Sequence, residues 1–380
     1  MKITGYRTVR TSHNWGRPVG DVNGFVDGGA VEVPILVLET DEGLEGIGIG
    51  DHSDIERVLP AILEQDPRAV VGLYDRMLAC VFKAGHSGST FGTIGAVDTA
   101  LWDLKAKIAG EPLWRTLGAR DRFVPAYGSG LDIALPDDEL HTLYEKFADR
   151  GFSAGKLKGG RDVDDDIRRL QIVTSALQKN AKHPAVMLDA NESWNVKQAV
   201  RYISRIEEEL DLTWIEEPVR RWDAEGNAAV SRAVKAAVAT GENLTGLEQY
   251  RPLLDTNAVD IVQAAGVWGI TNFLRVAVAA HSRDLPMSPV GHTANVLAHA
   301  GASIPNLLTI EIQDLSFPVG MTVDQDFDRG GVVLGDALGL GISIDEKAIA
   351  ANGTGGSWGT TAGPHVRPER AGLRMVSDAN

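Results

Sequence analysis

Ala185-Val-Met-Leu-Asp-Ala-Asn191 decides the fold once it is set beside Trp214-Ile-Glu-Glu-Pro218 and Gly241-Glu-Asn243. Each places an acid at the close of a short apolar run, and Asp189, Glu216 and Glu242 stand 27 and 26 residues apart. A strand, its return helix and two loops take about that many residues in a parallel βα repeat. Each acid therefore belongs at the same end of its own strand, and the three carboxylates are expected to converge. Like charges gathered that closely repel unless a cation sits among them. An all-oxygen set suits a hard divalent ion such as Mg²⁺. Singly, Asp189 and Asn191 could cap a helix, and Glu216-Glu-Pro218 could be a charged loop. Only the shared rhythm favours a metal.

The same rhythm extends outward. Strand ends are expected near Tyr127, Lys158, Asp189, Glu216, Glu242, Gln263, Ser288 and Glu311, no more than 31 residues apart. Eight such units match a parallel (β/α) barrel of the TIM type. An open doubly wound sheet is the alternative, but it draws its ligands from a few strands at a switch point. Here polar residues close many strands. Residues 1–125 lack the repeat. Val31 to Leu38, the turn Thr40-Asp-Glu-Gly43 and Leu44-Glu-Gly-Ile-Gly-Ile-Gly50 predict a hairpin, and the glycines there are no phosphate loop because no helix follows. Val97, Leu101, Leu104 and Ile108 share a helical face that Gly110 and Pro112 terminate. The expected division is an α+β domain over 1–125, a barrel over 126–334, and a segment 335–380 that returns to the first domain.

Composition bounds the partners. The 380 residues are 43% hydrophobic and carry a net charge of −15, which excludes nucleic acid as an expected partner. A small anionic substrate remains open, because near neighbours set the field at a site. Cys80 is the single cysteine, so no internal disulfide forms and a reducing compartment fits. The N-terminus lacks the apolar core of a signal peptide, and no run is long enough to span a bilayer. A cytoplasmic enzyme without a membrane partner is the expectation.

Lys156 and Lys158, in Gly155-Lys-Leu-Lys-Gly159, are two apart on a strand and point the same way. Paired ammonium groups near a metal are expected to depress each other's pKa and so yield a base near neutral pH. A Lys-x-Lys pair is usually a solvated face. One repeat before Asp189 it favours function.

Together with Ala100-Leu-Trp-Asp-Leu-Lys-Ala-Lys107 and Leu117-Gly-Ala119, these motifs resemble the mandelate racemase subgroup of the enolase superfamily along nearly the whole chain. That resemblance implies a (β/α)7β modified TIM barrel under an N-terminal α+β capping domain that the C-terminal tail completes. It implies Mg²⁺ held by Asp189, Glu216 and Glu242. Lys158 matches the base that takes the proton next to a substrate carboxylate, and Lys156 matches the lysine that holds the carboxylate and tunes its neighbour. Removing such a proton builds a dianion, so positive charge must gather around the carboxylate oxygens. Glu242 followed by Asn243 favours this subgroup over the muconate-lactonizing one.

His292, in Gly291-His-Thr-Ala-Asn295, resembles the family's seventh-strand histidine, while His183, His281 and His299 are expected to be structural. The family pairs that histidine with an aspartate closing the sixth strand, where this chain has Gln263 and Ala265. Without that partner the imidazole loses the group that fixes its tautomer. Glu311 matches an eighth-strand glutamate that donates a hydrogen bond to a carboxylate oxygen. His13, Trp15 and Arg17, in the loop running through Asp21-Val-Asn-Gly24, are candidate substrate contacts along with Asn191, and Ala84 to Thr90 is a second candidate loop. The expected activity is Mg²⁺-dependent dehydration of a sugar acid or hydroxy acid to a 2-keto-3-deoxy acid. Racemization or epimerization is the alternative, and a non-catalytic acid-binding relative a further one. Family members are generally homo-oligomers.

Overall fold

The computed structural model describes residues 1–291 and 293–352. The chain opens with β1 (Ile3–Asn14), the short pair β2 (Val19–Asp21) and β3 (Gly24–Val26), then β4 (Ala30–Thr40) and β5 (Glu45–Ile49). β1, β4 and β5 make an antiparallel sheet in that order. The β4–β5 turn closes where Thr40 Oγ1 accepts the Leu44 N–H at 3.1 Å. Helices α1 (Ile55–Val58), α2 (Val70–Cys80), α3 (Gly88–Ala109) and α4 (Leu113–Thr116) follow.

α3 is buried on nearly every face between Thr90 and Leu104, a wider burial than the single expected stripe, because it is held between the sheet and the barrel. A Cβ on Gly46 would lie 2.3 Å from the Ala100 carbonyl and one on Gly48 2.0 Å from that of Ala96. Two glycines on one side of β5 are what let the helix lie directly on the strand. Gly110, at φ 72°, ends α3 in the left-handed conformation.

The second unit runs β6 (Phe123–Ser129), α5 (Asp137–Asp149), β7 (Ala154–Lys158), α6 (Val163–Leu177), β8 (Ala185–Asp189), α7 (Val196–Ile206), β9 (Leu212–Glu216), α8 (Ala224–Ala233), β10 (Ala237–Thr240), α9 (Leu247–Asp255), β11 (Ile261–Val262), α10 (Ile270–His281), α11 (Leu297–Gly301) and β12 (Ile310–Ile312). β6 to β11 pair successively and in parallel. Residues 287–290 fill the seventh place through parallel bridges from Val262 to Met287 and from Ala265 to Val290. β12 then pairs with β6, also in parallel, and closes the ring. Strand alternation sends every second side chain inward. Tyr127, Met187, Trp214, Ala239 and Ile261 pack together as the barrel's inner plug. The next inward positions of β7, β8 and β9 are lysines and acids.

The chain continues through β13 (Met321–Val323), β14 (Gln325–Asp328), β15 (Gly331–Leu334), β16 (Ile342–Ile344) and α12 (Glu346–Asn352). β15 pairs antiparallel with the start of β6. Beyond it the chain touches the capping unit: the Leu340 N–H donates to Asp103 Oδ1 at 2.7 Å and Arg7 Nε to Glu346 Oε1 at 3.1 Å. Residues 353–380 of the expected C-terminal segment lie outside the described residues.

One buried contact locks cap to barrel. Asp98 of α3 accepts the Thr271 N–H at 2.7 Å and the Thr271 hydroxyl at 2.6 Å, so a helix of one unit caps the N-terminus of α10 in the other. The Trp102 indole also donates to Thr271 Oγ1, at 2.9 Å. Burial pushes the Asp98 carboxyl up to about 7, against the hydrogen bonds from Thr271 and Ile270. Among the described residues no helix is long and apolar enough to cross a membrane.

Candidate active site

The strand register places the chemistry. Lys158 on β7 pairs with Asp189 on β8, and Asp189 pairs with Glu216 on β9. Three charged groups thus stand side by side at the carboxyl ends of three neighbouring strands, and Glu242 follows just past the end of β10. Lys156, Asp189, Glu216 and Glu311 are wholly buried. Lys158, Asn191 and Glu242 line a cavity of about 440 Å³ that opens beneath the capping unit. The acid spacing read from the sequence therefore corresponds to spatial register.

The contacts differ from simple convergence of the acids. Lys156 Nζ donates to Glu216 Oε1 and stands 3.5 Å from Asp189 Oδ2. It also lies 2.9 Å from Glu311 Oε1, an ion pair that is off the hydrogen-bond direction. Lys158 Nζ donates to Asp189 Oδ2 at 2.5 Å. With lysines drawn in among them, no three His, Cys, Asp or Glu side chains among the described residues are grouped to share one ion. The same carboxylates also act on the lysines. Burial works against both ammonium groups, yet Glu216 and Glu311 for Lys156, and Asp189 for Lys158, outweigh it and raise both pKa values.

The donor set nevertheless fits a divalent cation. Lys156 and Lys158 bring two positive charges to four carboxylates, Asp189, Glu216, Glu242 and Glu311, leaving two negative charges uncompensated. That excess shows at Glu216, whose carboxyl is pushed up by burial and by Asp189, Glu242 and Glu311 in spite of Lys156. A doubly charged, oxygen-preferring ion among Asp189, Glu216 and Glu242 would balance the set and would loosen the carboxylates' hold on the lysines.

Sequence reasoning missed several supports. Gln263, noted only as a missing acid, donates from Nε2 to Glu216 Oε2 at 2.7 Å, and the Trp214 indole donates to the same oxygen at 3.2 Å. Asn243 donates to both Glu242 Oε1 and Glu217 Oε1 at 3.0 Å. The Asn191 N–H donates to Asp189 Oδ1 at 2.9 Å, while Asn191 Oδ1, on a residue 7% exposed, is buried without a hydrogen-bond partner. Asp260 points away, accepting the Val238 N–H at 2.8 Å. Gln263 and Asp260 were legible as positions, but a bond between strand ends 47 residues apart leaves no mark in the local pattern.

The remaining candidates divide. His13 and Trp15 line the cavity, stacked with ring centroids 4.7 Å apart, and His13 Nε2 bonds Asp314 Oδ2 at 2.7 Å. Arg17 is not among the lining residues. Its guanidinium donates to the carbonyls of Gly130 and Pro18 and lies 5.5 Å from the ring centroid of Trp15. The β2–β3 hairpin sits over the cavity, its Asn23 amide donating to the Asn191 carbonyl at 3.1 Å. Ala84 to Thr90 leads into α3 and does not line the cavity. Glu311 was expected to donate a hydrogen bond. Burial would raise its carboxyl, but Lys156 and Lys158 outweigh that and hold it low, and its Oε2 accepts a hydrogen bond from Gln313 Nε2 at 3.1 Å. His299 is buried and pushed down to about 4 by that burial, a structural role. His292 lies outside the described residues.

Comparison with known proteins agrees with this architecture. Residues 29–118 match the mandelate racemase / muconate lactonizing enzyme N-terminal domain, and residues 139–348 match the enolase C-terminal domain-like family. The L-talarate/galactarate dehydratase of Salmonella typhimurium is 32% identical over 333 residues, 83% of this chain and 82% of that protein. The 3,6-anhydro-alpha-L-galactonate cycloisomerase of Streptomyces coelicolor is 31% identical over 291 residues, 76% and 79% of the two chains. A racemase from Streptomyces coelicolor A3(2), solved with bound magnesium, superposes with a TM-score of 0.83 at 28% identity, covering 92% of this chain and 99% of that one. With two domain matches spanning cap and barrel and the lysines and acids in register at the strand ends, the chain belongs to the mandelate racemase and muconate lactonizing enzyme family of the enolase superfamily.

Proposed function

We propose that the protein removes the proton α to the carboxylate of a hydroxylated acid and expels the β-hydroxyl, giving a 2-keto-3-deoxy acid. It is a metal-dependent enzyme of the enolase superfamily, a lyase or a racemase, and its cofactor is Mg²⁺. The division of labour between the two lysines carries the proposal: Lys158 reaches the cavity, whereas Lys156 lies beneath it, wholly buried among carboxylates.

Asp189, Glu216 and Glu242 would hold Mg²⁺, and the bound ion would supply positive charge against the substrate carboxylate. Lys158, neutral once Asp189 is otherwise engaged, takes the α-proton at Nζ. Lys156 keeps Glu216 and Glu311 in place and adds positive charge from below. Asn191 Oδ1 accepts a hydrogen bond from substrate, satisfying an otherwise orphaned buried atom. His13 and Trp15 wall the cavity, and His292 is assigned the proton delivered to the leaving hydroxyl.

Dehydration is favoured over racemization by the sixth-strand position. Ala265 pairs with Val290, and its methyl group offers no carboxylate to orient a second base on the neighbouring segment. The Salmonella dehydratase supports the same choice, while the cycloisomerase and the racemase keep proton transfer without loss of water as the second reading. We also assign the enzyme to the cytoplasm as a homo-oligomer: Cys80 is a free, exposed thiol, and Trp222 is left 71% exposed.

The test is incubation in D₂O with Mg²⁺ and a panel of sugar acids, followed by NMR, with EDTA and His292→Asn as controls. Keto-acid release is the expected result. Exchange with inversion and no release identifies a racemase, and binding with neither identifies a non-catalytic acid binder.

A further inference from the structure

The cavity is chemically two-sided. Its barrel side carries Lys158, Asn191 and Glu242, and its capping side and the loop after β12 carry Asp21, Asp51 and Asp314. Asp51 accepts the Ser53 N–H at 2.8 Å. Burial would raise its carboxyl, but the hydrogen bonds of Ser53 and Ser89 outweigh that and hold it low. Asp314 accepts the Ser316 hydroxyl at 2.6 Å and bonds His13, and burial is again outweighed, so it too is held low. Asp21 takes the Asn23 N–H at 2.6 Å. Glu32, also on this side, pairs with Arg10 at 3.1 Å. Between the two sides the wall is apolar, with Val33, Ile49, Val267 and Phe317.

Among the described lining residues the basic side chains are Lys158 and His13. Lys158 belongs to the reacting end, and His13 is engaged by Asp314. Arg17 is turned to backbone carbonyls.

We propose that the substrate carries a single carboxylate, at the Lys158 end, and that its distal end is a neutral polyol whose hydroxyls donate to Asp51, Asp314 and Asp21. The substrate class is then the monoacid sugar, an aldonate, and not the diacid aldarate. This deepens the proton-abstraction reading and rests on it. A hydroxyl donating to an ionised carboxylate makes a short, charge-assisted bond. Arg161 offsets part of the charge of Asp21 and Arg17 part of that of Asp314, so a second carboxylate in the same place meets like charge chiefly from Asp51, which discriminates against it. The orphaned Asn191 Oδ1 on the barrel side is one more acceptor for a substrate hydroxyl, and the apolar wall suits the C–H faces of the carbon chain.

The experiment compares C5 and C6 aldonates with aldarates of matching configuration, using the Mg²⁺-loaded enzyme. Keto-acid release gives kcat/KM, and titration calorimetry gives affinity independently of turnover. The expected preference for the monoacid is about 100-fold, and Asp51→Asn narrows it about 10-fold by removing one repelling charge. Asp21→Asn serves as a second variant should Asp51→Asn fold poorly. An aldarate processed or bound as well as its monoacid counterpart overturns the inference and leaves proton abstraction standing. Preferential monoacid binding with no α-deuterium exchange supports the charge argument and sinks the catalytic reading. Failure to bind any acid of either kind overturns both.

Discussion

Asp98→Asn tests how the capping unit is fastened to the barrel. Asp98 is fully buried, its two oxygens take the N–H and hydroxyl of Thr271, and its carboxyl is pushed from 3.8 to about 7 by that burial. In the unfolded chain the group ionises near 3.8, so between that value and about 7 the folded protein binds the extra proton. Its contribution is fully present below pH 3.8 and is lost as pH rises through 7. Each pKa unit is about 1.4 kcal/mol, so the full loss is about 4 kcal/mol, of which more than half falls between pH 5 and pH 8. The asparagine variant has no proton to lose, but its amide turns a donor toward a donor, a fixed penalty of about 1–3 kcal/mol. Urea unfolding of both proteins at pH 5, 6, 7 and 8 reads the difference directly, because every other titration cancels. The parent should be the more stable at pH 5, with the margin shrinking by about 2–3 kcal/mol by pH 8. Two stability curves that run parallel across that range would refute a raised carboxyl at this joint.

Three other outcomes follow from the site and the core. Lys158→Ala should lower kcat by at least about 10³-fold with Mg²⁺ affinity retained in calorimetry; substantial residual turnover rejects Lys158 as the base. Lys156→Met leaves Asp189, Glu216 and Glu311 without their shared buried cation, and should cost about 3–5 kcal/mol in EDTA, with part of the loss recovered in Mg²⁺; equal melting temperatures in EDTA for parent and variant rule out the charge-balance account. Gly48→Val places a side chain where even a Cβ lies 2.0 Å from the Ala96 carbonyl, so the protein should lose at least about 3 kcal/mol or fail to accumulate in soluble form; a normal melting curve would show that β5 and α3 are not in such close contact.

The barrel was legible in the sequence because strand ends repeat at a near-constant interval, and a periodic signal survives without knowledge of any tertiary contact. Asp189 and Glu216 lie in register for that reason, and the Lys156–Lys158 pair shares a direction because strands alternate. What the sequence could not show are bonds between elements with no common period. Gln263 read as a gap and is a donor to Glu216. His13 read as a loop residue facing substrate, and its partner Asp314 lies 301 residues away. Arg17 read as a candidate substrate contact, and its bond to the Gly130 carbonyl could not be foreseen, since a guanidinium's direction depends on which acceptors the fold brings near. The carboxylates from three further strands that raise both lysine pKa values were likewise invisible locally, because only the fold brings them to Lys156 and Lys158.

The closing seam of the ring has a consequence for synthesis of the chain. β12 completes the barrel beside β6, and Glu311, opposite Tyr127 across that seam, reaches the buried ammonium of Lys156 on the strand beyond. A nascent polypeptide that has emerged only as far as α11 already holds both lysines and all three proposed metal acids, yet its ring is open and one of the carboxylates that steadies Lys156 has not been made. Ring closure and completion of the charged wall are therefore one event, timed by the last barrel strand to leave the ribosome, and a partly made chain has little capacity to act on a substrate before its fold is finished.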